Sequence, residues 1–206
     1  MRPGSQRPAP EWDKPYARRA ECILANGRTG ALKNRPDWST AIGFRSKIPA
    51  IPDCRRRIWP SARLPKQHTD SAIRAQLSKW IKAKTVPKNT KNTLYFIYLD
   101  PGIISIMGGA KSCQNYCGYH NNVGKVYYAV MPYPTCSGCL GGMPAIDALT
   151  ATSSHELCEA ITDPVPGSGW YDNTNGEIGD ICAWNFKQVA GYTVQLEWSN
   201  QQNKCA

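Results

Sequence analysis

Long apolar runs are missing from this chain. Nowhere does it sustain the roughly 18 consecutive apolar residues of a transmembrane helix, so no such span is expected. Its first residues, Met1-Arg2-Pro3-Gly4-Ser5-Gln6-Arg7-Pro8, lack the apolar centre of a secretory signal. Histidine is scarce: His68, His120 and His155 are the only three. Acidic residues are scarce in the first part, where residues 1–92 hold 21 Lys/Arg against 6 Asp/Glu, a balance of +15. Residues 93–206 reverse this, with 4 Lys/Arg against 9 Asp/Glu, a balance of −5. The net charge of +10 therefore belongs to the first part alone. The mildly acidic remainder suits cation binding and argues against a phosphate backbone as its ligand, so no nucleic-acid partner is expected.

Periodicity is also absent from residues 1–66, where Pro and Arg recur without helical or strand spacing, as in Asp53-Cys54-Arg55-Arg56-Arg57-Ile58-Trp59-Pro60. This stretch reads as a basic, poorly ordered or non-native extension, with one domain over 67–206 behind it. Cysteine, by contrast, is abundant, at nine residues. Cys113/Cys117, Cys136/Cys139 and Cys182/Cys205 suggest a secreted framework whose natural signal is missing here. The first two pairs also resemble zinc knuckles. The three residues between Cys113 and Cys117 and the extracellular character of the surroundings favour disulfides stapling loops, with the connectivity open.

Ordered elements are expected from Thr69 onward. Thr69-Asp70 caps a helix whose Ile73, Leu77, Trp80 and Ile81 recur at helical spacing, and Pro87 and Asn89 close it. The near-continuous apolarity of Thr93–Leu99 predicts a central strand. Val123–Val130 reads as a second. Pro144 opens a helix that runs to about Thr162, with Ile146, Leu149, Leu157, Ala160 and Ile161 as its apolar set and Pro164 as its stop. Two strands follow, Ile181–Phe186 and Tyr192–Trp198, with Ala190-Gly191 turning between them. The second alternates Tyr192, Val194, Leu196 and Trp198 with Thr193, Gln195 and Glu197. The class is α+β, with a mixed or antiparallel sheet, a central site-bearing helix and disulfide-stapled loops.

The chemistry concentrates on Ser153-Ser154-His155-Glu156-Leu157-Cys158-Glu159. Positions four apart share a helix face, so His155 and Glu159 project together, with Glu156 beside them. The histidine count excludes HExxH and its longer zinc-binding forms, leaving HExxE, a pattern that an ordinary charged helix face also matches. The polar stripe within an apolar helix points it at a cavity, and Asp172, Asn175, Glu177 and Asp180 follow as oxygen donors. His155, Glu159 and Asp180 are the expected metal ligands, leaving an open position for water, and Glu156 is the expected general base. Asp180 is preferred because it immediately precedes a strand; Glu177 is second choice. Zn²⁺ is the first expectation, with Mn²⁺ or Ca²⁺ as alternatives for a carboxylate-rich set. Asp163 reads as turn chemistry first and a site member second, and the 172–177 segment as a turn first and a weak Ca²⁺ site second. His120 is a further candidate from the strand side, and Cys158 reads as a small buried helix residue.

Leu94-Tyr95-Phe96-Ile97-Tyr98-Leu99, Cys117-Gly118-Tyr119-His120, Tyr127–Val130 and Cys136/Cys139 resemble the exordium-like (phosphate-induced) family of secreted proteins. Its microbial members carry blocks similar to residues 154–164, 169–172 and 176–182. The resemblance spans about 70–206 and implies a secreted, disulfide-bonded α+β domain, without fixing an activity. A narrower resemblance, limited to the His155-Glu156 helix, is to zincin metallopeptidases. Together they lead to a secreted metal-dependent hydrolase, zincin-like and acting on extracellular polypeptide. A glycosidase acting on cell-wall polysaccharide is the alternative, pairing Glu156 or Glu159 with Asp163, Glu177 or Asp180, and with Trp170, Tyr171 and Trp184 stacking on sugar rings. A non-catalytic wall- or matrix-binding module is the third reading.

Overall fold

The computed structural model describes residues 66–206 and the backbone of one earlier strand, β1 (Arg19–Ala25). A short strand, β2 (Gln67–Thr69), leads into helix α1 (Asp70–Lys82). Thr69 caps that helix, its hydroxyl oxygen accepting from the Ala72 amide at 3.3 Å, and Asp70 at the start with Lys79 and Lys82 at the end complement the helix dipole. Ile73, Leu77 and Trp80 form its buried stripe. Next come β3 (Thr93–Leu99), β4 (Ile104–Met107), β5 (Ala110–Lys111), β6 (Tyr119–Val123) and β7 (Val126–Met131). A single-turn helix α2 (Ser137–Leu140) precedes the long helix α3 (Ala145–Thr162). The chain ends with a 3₁₀ turn at Asp180–Cys182, a hairpin of β8 (Phe186–Val189) and β9 (Tyr192–Gln195), and the short pair β10 (Trp198–Ser199) and β11 (Lys204–Cys205).

The main sheet runs β1-β3-β7-β6. β1, β3 and β7 are parallel, while β6 is antiparallel to β7, so the sheet is mixed. β3 is central and buried along nearly its whole length, as its composition predicts. Its alternation feeds two cores. Tyr95 and Ile97 join Tyr128, Val130 and α1 on one face. Leu94 and Phe96 join Ala129, Met131 and Ala160 of α3 on the other. The result is three layers with α1 and α3 on opposite faces, and the β8–β9 hairpin packs on α3 from beyond.

Several sequence-based expectations are corrected. Val123–Val130 is not one strand, because the chain turns at Gly124 (φ 57°) and Lys125, splitting it into the β6–β7 hairpin. Ile181–Phe186 is not a strand either. Asp180–Cys182 coils into a 3₁₀ turn, Trp184 takes a left-handed φ of 68°, and extended pairing begins only at Phe186. The last predicted strand stops at Gln195 and resumes at Trp198. Ile146, placed in the apolar set of α3, is 45% exposed, while Leu149 and Leu157 pack against the core. The buried face of α3 instead carries small residues such as Ala148, Ala151 and Ala160 along with Glu156 and Glu159. Finally, Arg19–Ala25 lies within the stretch read as aperiodic, yet its backbone pairs in parallel with Thr93–Leu99. The rest of 1–65 lies outside the described residues.

Among the described residues, three disulfides staple the loops. Cys113–Cys136 and Cys117–Cys139 tie the segment before β6 to the segment around α2, and Cys182–Cys205 ties the 3₁₀ turn to β11. The cysteines thus pair between the two CxnC segments, not within them, which uses up the ligands a zinc knuckle would need. No helix among the described residues is long and apolar enough to cross a membrane. The disulfides fit an oxidising, extracellular setting.

Candidate metal centre

Helix α3 sets the geometry. His155 and Glu159 are one turn apart, and His155 Nε2 lies 3.0 Å from Glu159 Oε1. The 3₁₀ turn brings Asp180 to the same place, its Oδ1 3.7 Å from His155 Nε2. One donor atom from each of His155, Glu159 and Asp180 lies within 4.8 Å of the others. The approach of the two elements depends on Gly179, where a Cβ would come within 2.6 Å of His155 Nδ1 and 2.9 Å of Glu159 Oε1. Behind the ring, Gln195 Nε2 donates to His155 Nδ1 at 2.7 Å and to the Gly179 carbonyl at 2.9 Å. Gln195 therefore fixes both the ring plane and the turn that carries Asp180.

On the opposite side of Glu159 stands His120 of β6, whose pleat turns Tyr119 into the α1 core and His120 toward α3. Its Nε2 donates to the Asp163 carbonyl at 3.0 Å. Its Nδ1 lies 3.2 Å from Glu156 Oε2 and 3.6 Å from Glu159 Oε2. Glu177 joins from the loop, with Oε1 3.5 Å from His120 Nε2. His120, Glu159 and Glu177 form a second group whose donor atoms lie within 4.8 Å of one another.

Carboxylates outnumber the cations here, and the proton affinities respond. Burial would lower His120, but its hydrogen bonds to Glu156 and Glu159 and the charges of Glu156 and Glu177 outweigh it, raising it to about 10. His155 rises to about 10 in the same way, with burial opposed by Glu159, Glu156 and Glu197. Burial acts against Glu159 too, yet the two imidazoles pull it down to about 2. Glu177 is pushed up to about 8 by burial and the Glu159 charge, against the pull of His120. Glu197 is likewise raised to about 8, by burial first and by Glu159 and Glu156, with His155 opposing. Three of these acids keep buried oxygens with no hydrogen-bond partner: Glu159 Oε1, Glu177 Oε1 and both oxygens of Glu197.

No family model, curated protein or solved structure matches the chain. The chemistry of the site therefore rests on its own residues.

A cleft of about 300 Å³ opens onto His155, Glu156, Asp180 and Gln195. Trp184 stands beside them, 56% exposed, with its ring edge-on to Phe186 at 6.4 Å. Of the residues singled out in the sequence, His155, Glu156, Glu159 and Asp180 are brought together in or against this cleft. Asp163 is fully buried and its carboxylate accepts from the amides of Gly167, Ser168 and Gly169, so it closes the helix-end turn, and only its carbonyl touches the site. Asp172 and Asn175 form a turn of their own, the Asp172 carboxylate accepting from the Thr174 and Asn175 amides. Cys158 is a free thiol inside α3. Sequence reasoning missed Gln195 and Glu197. The signal was their place on the polar side of an alternating strand, the side that faces α3: Thr150 Oγ1 donates to the Thr193 carbonyl at 2.6 Å, and the Gln195 amide donates to Ser154 Oγ at 2.9 Å.

Proposed function

We propose that this chain is a secreted, metal-dependent hydrolase of zincin-like chemistry acting on peptide bonds, with a divalent cation held by His155, Glu159 and Asp180. The observation that carries this reading is Glu159, 3% exposed, whose Oε1 pairs with His155 Nε2 at 3.0 Å off hydrogen-bond geometry and has no other partner. A buried carboxylate oxygen left without a hydrogen bond is costly unless something fills the gap. The donor spacings of 3.0 and 3.7 Å bracket the roughly 3.4 Å that separates ligand atoms around one tetrahedral ion with bonds near 2.1 Å. One nitrogen with two carboxylates suits Zn²⁺, and Mn²⁺ or Ca²⁺ as harder alternatives. Such a cation supplies Lewis acidity to a carbonyl and acidity to water.

The chain's own groups supply the rest. Glu156 lines the cleft and is positioned to take a proton from water there, its Oε2 3.2 Å from His120 Nδ1. Gln195 keeps the His155 ring in plane, and Trp184 offers an exposed aromatic face beside the reacting groups for an apolar substrate side chain. The disulfides among the described residues support secretion.

One observation favours a second reading. Glu177 at about 8 and Glu159 at about 2 are neighbouring carboxylates driven apart in proton affinity, the division that a glycosidase uses for its acid and its base. Metal analysis and chelation separate the two. The peptidase reading predicts bound cation in protein purified without chelator, peptide hydrolysis abolished by chelation, and loss of hydrolysis in Glu156→Gln. A protein that binds no cation, yet cleaves polysaccharide in the presence of chelator, would overturn it in favour of the glycosidase.

A further inference from the structure

Resting on the cation reading above, we propose that the centre holds two divalent cations, the second between His120, Glu159 and Glu177, with Glu159 bridging both. Glu159 is placed for this role. Its Oε1 faces His155 and its Oε2 faces His120 Nδ1 at 3.6 Å, so the two oxygens of one carboxylate point to two different imidazoles. At 3% exposure it has no solvent to turn to, and Oε1 has no hydrogen bond.

The His120 side is prepared independently. A backbone carbonyl can only accept, so the contact between His120 Nε2 and the Asp163 oxygen at 3.0 Å commits the proton to Nε2. That leaves Nδ1 as the ring's free nitrogen, directed at Glu159 Oε2 and at Glu156 Oε2 3.2 Å away. Donation of the second ring N–H to a carbonyl is the usual support for a metal-ligating histidine. His120 itself is enclosed, with a side chain 3% exposed. Glu177 Oε1, 3.5 Å from His120 Nε2 and in the group whose donor atoms lie within 4.8 Å of one another, is a third donor, shielded from solvent and without a hydrogen bond. A cation held between Nδ1 and Glu159 Oε2 would meet a ring lone pair on one side and a carboxylate oxygen on the other.

The consequence is chemical. Two cations sharing one carboxylate would supply acidity to the attacking water and Lewis acidity to the scissile peptide carbonyl. Glu156, between His120 and the cleft, then stands where a proton must move.

Mn²⁺ titration of the intact chain, followed by calorimetry and by electron paramagnetic resonance, tests the proposal. The expected result is two equivalents bound and a spin-coupled signal at saturation. His120→Gln and Glu177→Gln should bind one equivalent, with an uncoupled signal and first-site affinity within about threefold of wild type. Glu159→Gln should weaken both by tenfold or more. Saturation of wild type at one equivalent, with His120→Gln unchanged, would overturn the second site and leave the first standing. One equivalent lost in His120→Gln but kept in His155→Gln would overturn the pair and relocate the single ion. No binding at all would overturn both readings. The coupled signal of wild type is read without any variant, so a misfolded substitution cannot mask the answer.

Discussion

A methyl group added at Gly179 tests how tightly the centre is built. Gly179 has ordinary helical angles, φ −81° and ψ −35°, so alanine brings no backbone strain. The added Cβ would lie 2.6 Å from His155 Nδ1 and 2.9 Å from both His155 Cε1 and Glu159 Oε1. Favourable contact needs about 3.5 Å, so the ring or the turn must give by close to 1 Å. The ring has no room to retreat, because Gln195 stands 2.7 Å behind Nδ1 and is itself tied to the Gly179 carbonyl. Overpacking of this kind costs about 1–3 kcal/mol. For a domain of this size that lowers Tm by roughly 2–4 °C per kcal/mol. Functional sites tolerate about 0.5 Å of displacement, so Gly179→Ala should weaken cation binding by about 10–100-fold while the fold persists. Calorimetric Zn²⁺ titration and circular-dichroism melts with and without metal measure both effects. Gly191→Ala is the control. Gly191 sits in the β8–β9 turn at φ 85° with nothing near its Cβ position, so that variant loses about 1 kcal/mol and keeps its cation affinity. A Gly179→Ala protein with wild-type affinity and Tm would refute the packing argument.

Three further outcomes follow from the same geometry. Replacing Cys117 and Cys139 by alanine opens a loop of 22 residues and should cost about 3 kcal/mol, read as a lower denaturation midpoint. Burial, followed by the charges of Glu197 and Glu159, pushes the Cys158 thiol far above its usual range, so iodoacetamide should leave it unmodified in the folded protein and alkylate it after denaturation. Mass spectrometry decides between these. Trp184→Ala, at a side chain 56% exposed, should shift stability by less than about 0.5 kcal/mol and raise KM with kcat nearly unchanged; an equal fall in kcat would show that Trp184 acts beyond binding.

Much of this arrangement was legible in the sequence because it is local. The i, i+4 relation of His155 and Glu159 needs only a helix, and α3 runs Ala145–Thr162. The central strand announced itself by continuous apolarity, and Asp163 before Pro164 by turn chemistry. Asp180 could be linked to His155 only by guessing that the following segment was extended. It is a 3₁₀ turn, yet the turn delivers Asp180 to within 3.7 Å of His155. The rest is long-range and left little local trace. His120 lies 36 residues before Glu156, on a strand hidden by a hairpin turn with no Asn-Gly or Asp-Gly signal. Gln195 and Glu197 alternate with apolar residues as any half-exposed strand would. Alternation does not say that the polar side is the one packed on a helix. Arg19–Ala25 pairs with β3 through backbone hydrogen bonds, which carry no periodic signature when the flanking sequence is rich in Arg and Pro.

Anomalous X-ray scattering from crystals grown with Zn²⁺ measures the central claim most directly. A peak within about 2.2 Å of His155 Nε2, a Glu159 oxygen and an Asp180 oxygen is the predicted result. Crystals that diffract well, saturated with Zn²⁺ at near-neutral pH and showing no anomalous peak in contact with Glu159, would contradict it.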